Sequence, residues 1–249
     1  MIPQVLLPLM LPAFALRATA AILRGPPLKD TVLLVSRVIL RSLPVVVIIC
    51  FFCGAMLTVQ AAASLAPFGA LRMSGLIVGF GGVREVFPLL AGGALASRTG
   101  AEIASQLQAM RVTRQVEALE MMGLDPLVLL VAPRLIACVV AGPVCVFAAM
   151  VSGLVGGQVI GQFQLGIDRS AMWATLLSAV GVGDLVVGLI KGVVLGFVVG
   201  VVACYEGSIV AEGGARGVGA AANRAVVRGM VLVCLSCLGL SALIYGRFL

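Results

Sequence analysis

Five stretches of the chain are continuously apolar and long enough to cross a lipid bilayer. A spanning helix needs about 20 apolar residues at a rise of ~1.5 Å per residue, whereas a transmembrane β-strand shows about ten residues of alternating character. The long unbroken runs therefore predict an all-α membrane protein. The predicted spans are residues 43–63, 75–96, 127–157, 185–204 and 226–245.

The N-terminal residues 5–23 are also apolar, but they contain prolines and Arg17, and Arg24 follows directly. Proline disrupts a helix interior, and a basic residue within the stretch favours a position at the lipid–water boundary. We predict an N-terminal interfacial helix rather than a sixth span. Residues 1–42 would form this helix and its lead-in, and residues 43–249 the five-span bundle of a single domain.

A polar stretch between the second and third spans has a helical repeat of apolar positions. The positions that share one side are Val112, Val116, Leu119 and Met122. Gly123 and the Asp125–Pro126 pair are typical helix stops. The pattern predicts a short amphipathic helix outside the membrane. Periodicity alone leaves two interpretations open, a surface helix lying on lipid and a docking element for a partner protein.

The composition supports a membrane protein and narrows the possible chemistry. Hydrophobic residues make up 61% of the chain and charged residues 11%, with a mean hydropathy of +1.20. A soluble protein carries about 25% charged residues, so a water-soluble domain is excluded. The basic residues are not interleaved with aromatic ones, which argues against a nucleic-acid groove. The chain has no histidine, and we expect no catalytic residue and no metal site.

The basic residues predict the orientation in the membrane. If the N-terminus lies inside, only Arg72, Arg169 and Arg247 fall outside. The cytoplasmic side then holds Arg17, Arg24, Lys29, Arg37, Arg41, Arg98, Arg111, Arg114, Arg134, Arg216, Arg224 and Arg228. An excess of Lys and Arg on the cytoplasmic side is the usual arrangement. With five spans, the C-terminus is predicted to lie outside.

Three charged residues fall within the predicted spans. Arg84 and Glu85 lie in the middle of the second span, and Lys191 lies about two turns into the fourth. A charge at the bilayer centre costs roughly 2.5–3.5 kcal/mol on insertion scales, so these side chains should face protein or a wet cavity. We predict that Glu85 pairs with Lys191, which is on nearly the same helix face as Asp184. Both a structural ion pair and a substrate-binding one fit this pattern.

Glycine recurs every fourth residue in two spans, at Gly153, Gly157 and Gly161 and again from Gly188 to Gly200. Small residues at this interval let another helix approach closely. Tight packing within one chain is the favoured interpretation, and a subunit interface is the alternative.

Motifs for ATP hydrolysis are absent from the chain. The two lysines, Lys29 and Lys191, do not follow a phosphate-binding glycine loop, so we do not expect this chain to hydrolyse ATP or to bind a cofactor.

Several motifs occur in a distinctive order along the chain. They are Arg84-Glu85-Val-Phe-Pro88, Ser97-Arg98-Thr-Gly100, Met110-Arg-Val-Thr-Arg-Gln115, Ala118-Leu-Glu-Met-Met-Gly-Leu-Asp-Pro126, Pro133-Arg134, Lys191-Gly-Val-Val194, Cys204-Tyr-Glu-Gly207 and Gly213-Gly-Ala-Arg-Gly-Val-Gly219. Over essentially the whole chain they resemble the MlaE/YrbE permease family. Members of this family are the membrane subunits of ABC transporters that move phospholipids and other lipids with MCE proteins.

The resemblance implies a bacterial inner-membrane permease that pairs with a second copy or a paralogue. It implies two cytoplasmic ABC ATPases that bind the ATP, a periplasmic MCE lipid-binding protein, and membrane lipid as the substrate. The coupling residues implied are Arg111, Val112, Thr113, Gln115, Val116, Leu119, Met122, Gly123 and Asp125. A lipid cavity between the subunits would use Leu57, Leu65 and Phe68 as apolar wall and Arg84, Glu85 and Lys191 as polar elements.

This chain departs from the family pattern at several positions, among them Gln106, Arg114 and Cys237, and the last of these replaces a frequent aspartate. Two other functions stay open from the residues. One is an ion-coupled secondary transporter of a hydrophobic substrate, with Glu85 or Asp184 as the coupling site. The other is a membrane scaffold that transports nothing.

Overall fold

The computed structural model describes residues 7–166, 168–209 and 214–246, and these residues form eight helices and no strand. The helices are α1 (Leu7–Leu23), α2 (Leu28–Leu65), α3 (Ser74–Val112), α4 (Gln115–Met121), α5 (Leu127–Phe163), α6 (Arg169–Ala179), α7 (Val182–Ser208) and α8 (Ala215–Tyr245). Five of them, α2, α3, α5, α7 and α8, are long and apolar enough to span a membrane. The predicted all-α membrane fold with five spans is confirmed.

The spanning helices are longer than the sequence pattern predicts. α2 already begins at Leu28, directly after Pro27, so residues 28–42 continue the first span and are not a separate lead-in. α3 likewise extends past residue 96 as far as Val112. Charged side chains end an apolar run but do not end a helix, because the backbone hydrogen bonds continue into the polar boundary layer.

α3 contains wide, π-helical turns at Val78–Val86 and Ala96–Gly100. Pro88 lies just after the first of them and has no N–H to donate, which is a common cause of a local change in helical hydrogen bonding. Such turns occur often at functional sites. Arg84 and Glu85 lie in the first wide turn, about three turns from the start of α3.

α5 is the helix around which the bundle packs, and glycines bring its neighbours to backbone contact. A methyl group at Gly54 of α2 would overlap the main chain of Gly153, and one at Gly142 would overlap the main chain of Gly192. Gly196 approaches the Cys138 carbonyl in the same way. The glycine repeats therefore serve packing within one chain, which confirms the favoured interpretation.

Helix α1, which was predicted to be interfacial, packs across one end of the bundle, beside α4. Ala18 and Ala21 are buried, and the ring of Phe14 meets that of Tyr205 edge-on with centroids 5.6 Å apart. Arg24 forms an ion pair of 3.1 Å with Asp125. Val5, the first residue of the predicted interfacial helix, lies outside the described residues. We refer to this side of the bundle as the α4 end.

The opposite side, the α6 end, carries a helix that the sequence pattern did not predict. α6 is 11 residues long, and its buried Met172 and Leu176 pack near the start of α3. Asp168 caps its N-terminus by accepting the Ser170 and Ala171 backbone N–H groups. The hydrogen bond from the Ser170 hydroxyl, followed by the one from the Ala171 N–H, lowers the pKa of the exposed Asp168 carboxyl.

Candidate functional site

Four charged residues of two spanning helices and two polar residues of a third meet in one place, which we call the polar cluster. It consists of Arg84 and Glu85 from α3, Asp184 and Lys191 from α7, and Ser241 and Tyr245 from α8. The cluster lies towards the α6 end of the bundle. It contains two positive and two negative side chains, so its charges balance.

Lys191 is the buried centre of the polar cluster, and none of its surface is exposed. Its Nζ lies 3.1 Å from Glu85 Oε1, 2.6 Å from the Arg84 carbonyl oxygen and 2.7 Å from Ser241 Oγ. An ammonium group has three N–H donors, and here each has an acceptor. The predicted pairing of Glu85 with Lys191 is confirmed, and the lysine charge is fully compensated inside the protein.

Glu85 has one side towards Lys191 and another towards the surface. Its Oε2 accepts a hydrogen bond of 2.6 Å from the Ser241 hydroxyl, and its side chain is 43% exposed. The Ser241 hydroxyl also lies 2.8 Å from the Cys237 carbonyl, so its single proton serves one of these two acceptors at a time. Cys237, where the resemblance leads one to expect an aspartate, lies with Sγ 3.9 Å from Glu85 Oε2.

Arg84 forms the second ion pair of the polar cluster, with Asp184. Its Nε lies 2.8 Å from Asp184 Oδ1, and Nη2 lies 3.2 Å from Oδ2. The guanidinium also lies over the rings of Phe80 and Tyr245, at 4.5 Å and 5.1 Å from their centroids. The Tyr245 hydroxyl donates to Asp184 at 3.3 Å. Two aromatic rings and a carboxylate thus fix a guanidinium that is still 32% exposed.

The predicted apolar wall residues lie at different depths in the structure. Leu57 packs against the main core and is half-buried, and so is Leu65 near the end of α2. Phe68 lies in a short 3₁₀ turn, Ala66–Phe68, and is largely exposed. Further exposed apolar side chains follow α2 at Ile48, Phe52 and Met56. This face of α2 must be covered by lipid or by another protein chain.

Residues 111–125, in which the family resemblance places the coupling residues and which we therefore call the coupling segment, are not one continuous helix. Arg111 and Val112 end α3, and Thr113 donates its hydroxyl back to the Ala109 carbonyl. Arg114 has a φ of 58°, a left-handed conformation that turns the chain into the seven-residue α4. The sequence pattern had predicted a single helix here, because arginine is an uncommon residue in that conformation. The predicted stop at Gly123 is confirmed, with a φ of 73°.

The two sides of the coupling segment differ in exposure. Val116 is only 9% exposed and faces the chain's own helices, and Leu119 is half-buried. The outer side carries exposed apolar side chains at Val112, Met121, Met122 and Leu124, and Met121 is 90% exposed. Exposed apolar residues on a polar loop are typical of a surface that a partner covers. Gln115 is exposed, and Asp125 accepts the Leu127 N–H at 3.0 Å.

A second ionic cluster, which we call the Glu206 clasp, lies near the end of α7 and was not predicted. The Glu206 carboxylate is fully buried. It is 3.1 Å from Arg224 Nε and also bonds Arg228, both on α8. Glu206 was noticed in the sequence only as part of a motif. Its position 15 residues after Lys191, about four helical turns along α7, was the signal that could have indicated a second contact with α8.

No group of three or more metal-ligating side chains occurs among the residues that the structure describes. The cysteines in that part of the chain are all unpaired thiols, including Cys50 with Cys53 and Cys234 with Cys237.

Comparison with known proteins gives a consistent set of similarities. The family model described as Permease MlaE matches residues 32–243 of the chain. The chain is 36% identical over 196 residues to a probable ABC transporter permease protein of Rickettsia typhi, covering 79% of this chain and 75% of that protein. It is 35% identical over 225 residues to a probable ABC transporter permease protein of Rickettsia felis, covering 90% and 86%. It is 28% identical over 207 residues to the intermembrane phospholipid transport system permease protein MlaE of Haemophilus influenzae, covering 83% and 79%.

Proposed function

The chain belongs to the MlaE permease family, and from that premise we propose that it is the membrane-spanning subunit of a lipid-transporting ABC transporter. It moves phospholipid or a related lipid between the bacterial inner membrane and a periplasmic MCE protein. The name of the Haemophilus influenzae relative, which specifies intermembrane phospholipid transport, supports the substrate. A separate ATPase binds and hydrolyses the ATP, and this chain binds no cofactor.

The observation that carries the proposal is the exposed edge of the polar cluster. Glu85 and Arg84 are 43% and 32% exposed within a spanning helix. A charged side chain facing hydrocarbon is unfavourable by several kcal/mol on some scales, so an exposed pair needs a wet or polar surrounding. A cavity between two permease subunits, filled by lipid headgroup and water, provides that surrounding. A second copy or a paralogue therefore covers this surface.

The residues of the cavity have separate roles. Leu57, Leu65 and Phe68 contact the acyl chains, which need an apolar wall. Arg84 and Glu85 present a cationic and an anionic group to the headgroup. Lys191 is fully buried, so it acts by holding Glu85 in position and does not touch the lipid.

The coupling segment transmits the ATPase motion. The α4 end carries most of the Lys and Arg residues and is the cytoplasmic end, with the N-terminus inside and the C-terminus in the periplasm. The ATPase contacts the outer side of the segment at Val112, Met121, Met122 and Leu124. Arg111, Thr113, Gln115, Gly123 and Asp125 shape the segment, and Val116 and Leu119 seat it on the bundle.

ATP binding by the ATPase pair closes the two subunits on each other and reduces the volume of the lipid cavity. The lipid then moves between the cavity and the MCE protein, as a two-state population shift driven by nucleotide.

Lipid transfer in proteoliposomes tests this function. The permease is reconstituted with or without its ATPase, and transfer of a fluorescent phospholipid to the MCE protein is followed with ATP, without ATP, and with an ion gradient. We expect transfer only when the ATPase and ATP are both present. Transfer driven by an ion gradient without the ATPase would support a secondary transporter instead, and no transfer under any condition would support a scaffold.

A further inference from the structure

A cavity lies at the α4 end, away from the polar cluster. Its volume is about 550 Å³, within the range of about 300–1,000 Å³ that is usual for small-molecule sites. It is enclosed by α1, the end of α3, the coupling segment, the start of α5 and the end of α7. The apolar side chains of its wall include Phe14, Leu107, Val116, Leu127, Leu130 and Val131.

The rim of this cavity carries charged side chains. Arg17, Arg111, Glu120 and Asp125 line it, and Asp125 is already paired with Arg24 at 3.1 Å. The ion pairs found among the described residues include neither Arg17 nor Arg111 nor Glu120. When Arg24 is counted together with these four lining residues, three positive charges face two negative ones, and the excess of one positive charge favours an anionic ligand.

The position of α1 shows which surroundings the cavity opens to. Ala18 and Ala21 of α1 are buried against the bundle, whereas Leu16 and Leu23 are 72% and 89% exposed. Because Arg17 is exposed as well, the free side of α1 is both apolar and basic, which is typical of a helix at the boundary between lipid and water. A ligand that reaches the cavity from this boundary meets an apolar wall and the side chains of Arg17 and Arg111. The ligand that fits these surroundings has an acyl chain and an anionic head.

We propose that this cavity binds an anionic membrane lipid that is not the transported one. One acyl chain packs between Phe14, Leu107 and Leu130, and the headgroup lies between Arg17 and Arg111. The bound lipid belongs to the cytoplasmic leaflet, and only this assignment rests on the orientation given in the proposed function. The site itself depends on the cavity and its rim.

The bound lipid has a direct contact with the coupling segment. Val116 and Glu120, one helical turn apart, face the cavity, while Met121 and Met122 are exposed on the outer side. The lipid therefore supports the inner side of α4 while a partner covers the outer side. Loss of the lipid would leave Val116 facing an empty space.

Photolabelling tests the site in the intact complex. The permease and its co-purified partners are reconstituted in nanodiscs of phosphatidylcholine that contain a photoreactive, clickable phosphatidylglycerol, and the labelled peptides are identified by mass spectrometry. We expect label on residues 107–131 and 205–209. Removing Arg17 or Arg111 by substitution with alanine lowers this label by about fivefold for each arginine, the equivalent of about 1 kcal/mol per basic residue at an anionic surface.

Two further variants keep the result interpretable. Leu130→Trp fills the cavity without changing its charge and is expected to abolish the label there. Lys29→Ala removes an exposed basic residue that does not line the cavity, and it should label like the wild type. A folding check is given by labelling of the lipid-facing helices, which should be equal in all variants.

Several outcomes would overturn the proposal. The proposal is wrong if Arg17→Ala and Arg111→Ala are labelled as strongly as the wild type, or if the label is confined to lipid-facing helices. It is also wrong if inorganic phosphate displaces the lipid probe as completely as anionic lipid does, because this would indicate a site for soluble anions. Lys191→Met is expected to abolish lipid transfer and to keep this label. A failure of the transport function would therefore be seen separately from a failure of this site.

Discussion

The polar cluster and the Glu206 clasp both join α7 to α8 through buried charge, but they are built in opposite ways. In the polar cluster the buried centre is a cation, Lys191, and the carboxylate of Glu85 reaches the surface. In the clasp the buried centre is the carboxylate of Glu206, and two arginines enclose it. The clasp leaves one positive charge in excess, whereas the polar cluster is balanced.

The difference distinguishes a cluster that a ligand can reach from one that only joins two helices. A carboxylate that is fully buried between two guanidinium groups has no atom left for a ligand, so the clasp holds α7 and α8 together at the α4 end. Glu85 is compensated from one side only, and its other side is open. Of the two clusters, the polar cluster is the one with an accessible charged group, as the proposed function requires, so substitutions should affect stability and transport differently in the two places.

The largest effect is expected for Glu206→Gln, which leaves Arg224 and Arg228 without their anion. Breaking a fully buried ion pair from one side costs about 3–5 kcal/mol. Here the two arginines left behind are 34% and 22% exposed and can be partly hydrated, so we expect a cost near the lower end of that range, although two ion pairs are lost at once. We expect a large loss of folded protein and a lower Tm, measured by thermal unfolding in detergent. Glu117→Gln, an exposed position on α4, is the matched control and should have almost no effect. An unchanged Tm for Glu206→Gln would contradict the fastening role.

Lys191→Met should come next, with a smaller loss of stability and a complete loss of lipid transfer. Glu85 is half-exposed and can be hydrated, so the uncompensated carboxylate costs about 1–3 kcal/mol, less than a fully buried one. The double variant Lys191→Met with Glu85→Gln removes both charges and should regain stability without regaining transfer. Restored transfer in the double variant would show that the pair is only structural.

Ser241→Ala should have a moderate effect, since its hydroxyl joins Lys191 to Glu85. Loss of this hydrogen bond is expected to cost about 1 kcal/mol and to reduce the transfer rate. Ser236→Ala, a half-buried serine on the same helix, is the control. If the two variants behave alike in Tm and in transfer, Ser241 has no special role in the polar cluster.

Asp168→Ala should have the smallest effect and gives an exposed carboxylate for comparison with the two clusters. Its lowered pKa means that the cap stabilises α6 above the ordinary pKa of aspartate and is lost as the pH falls through the lower, folded-state pKa. The Tm of the wild type should therefore fall slightly at acidic pH. The Tm of Asp168→Ala should already be lower by this small amount at neutral pH and should not show the same fall. Asp168→Asn keeps the capping oxygen and should show less pH dependence. Identical pH profiles for all three proteins would refute the cap.

The sequence predicted the spans and the Glu85–Lys191 pair because both follow from the free energy of apolar and charged groups in lipid. It did not predict the partner of Arg84, because Asp184 falls just outside the predicted fourth span, where a carboxylate can be hydrated and does not need a buried partner. Ser241 was missed because a serine in a helix usually bonds its own backbone, as it also can here with Cys237. Helical spacing placed Val116 on an apolar face, but it could not show that this face turns inward.

α6 and the turn at Arg114 were missed for related reasons. Eleven residues with moderate hydropathy are too few to be distinguished from a loop, and their helix is stabilised mainly by contacts with α3. Arg114 adopts a left-handed conformation that the sequence would signal with glycine or asparagine. In both places the surrounding structure decides the local one.

The wide turn at Val78–Val86 makes the polar cluster sensitive to chain length. Each residue of a regular helix advances the side chains by about 100°, so removing a single residue between Ser74 and Arg84 would convert the turn to a regular one or swing the two charged side chains towards a different neighbour. Insertions and deletions in this stretch are therefore far more damaging than most substitutions. In this region the count of residues, as much as their identity, keeps opposite charges aligned across two helices.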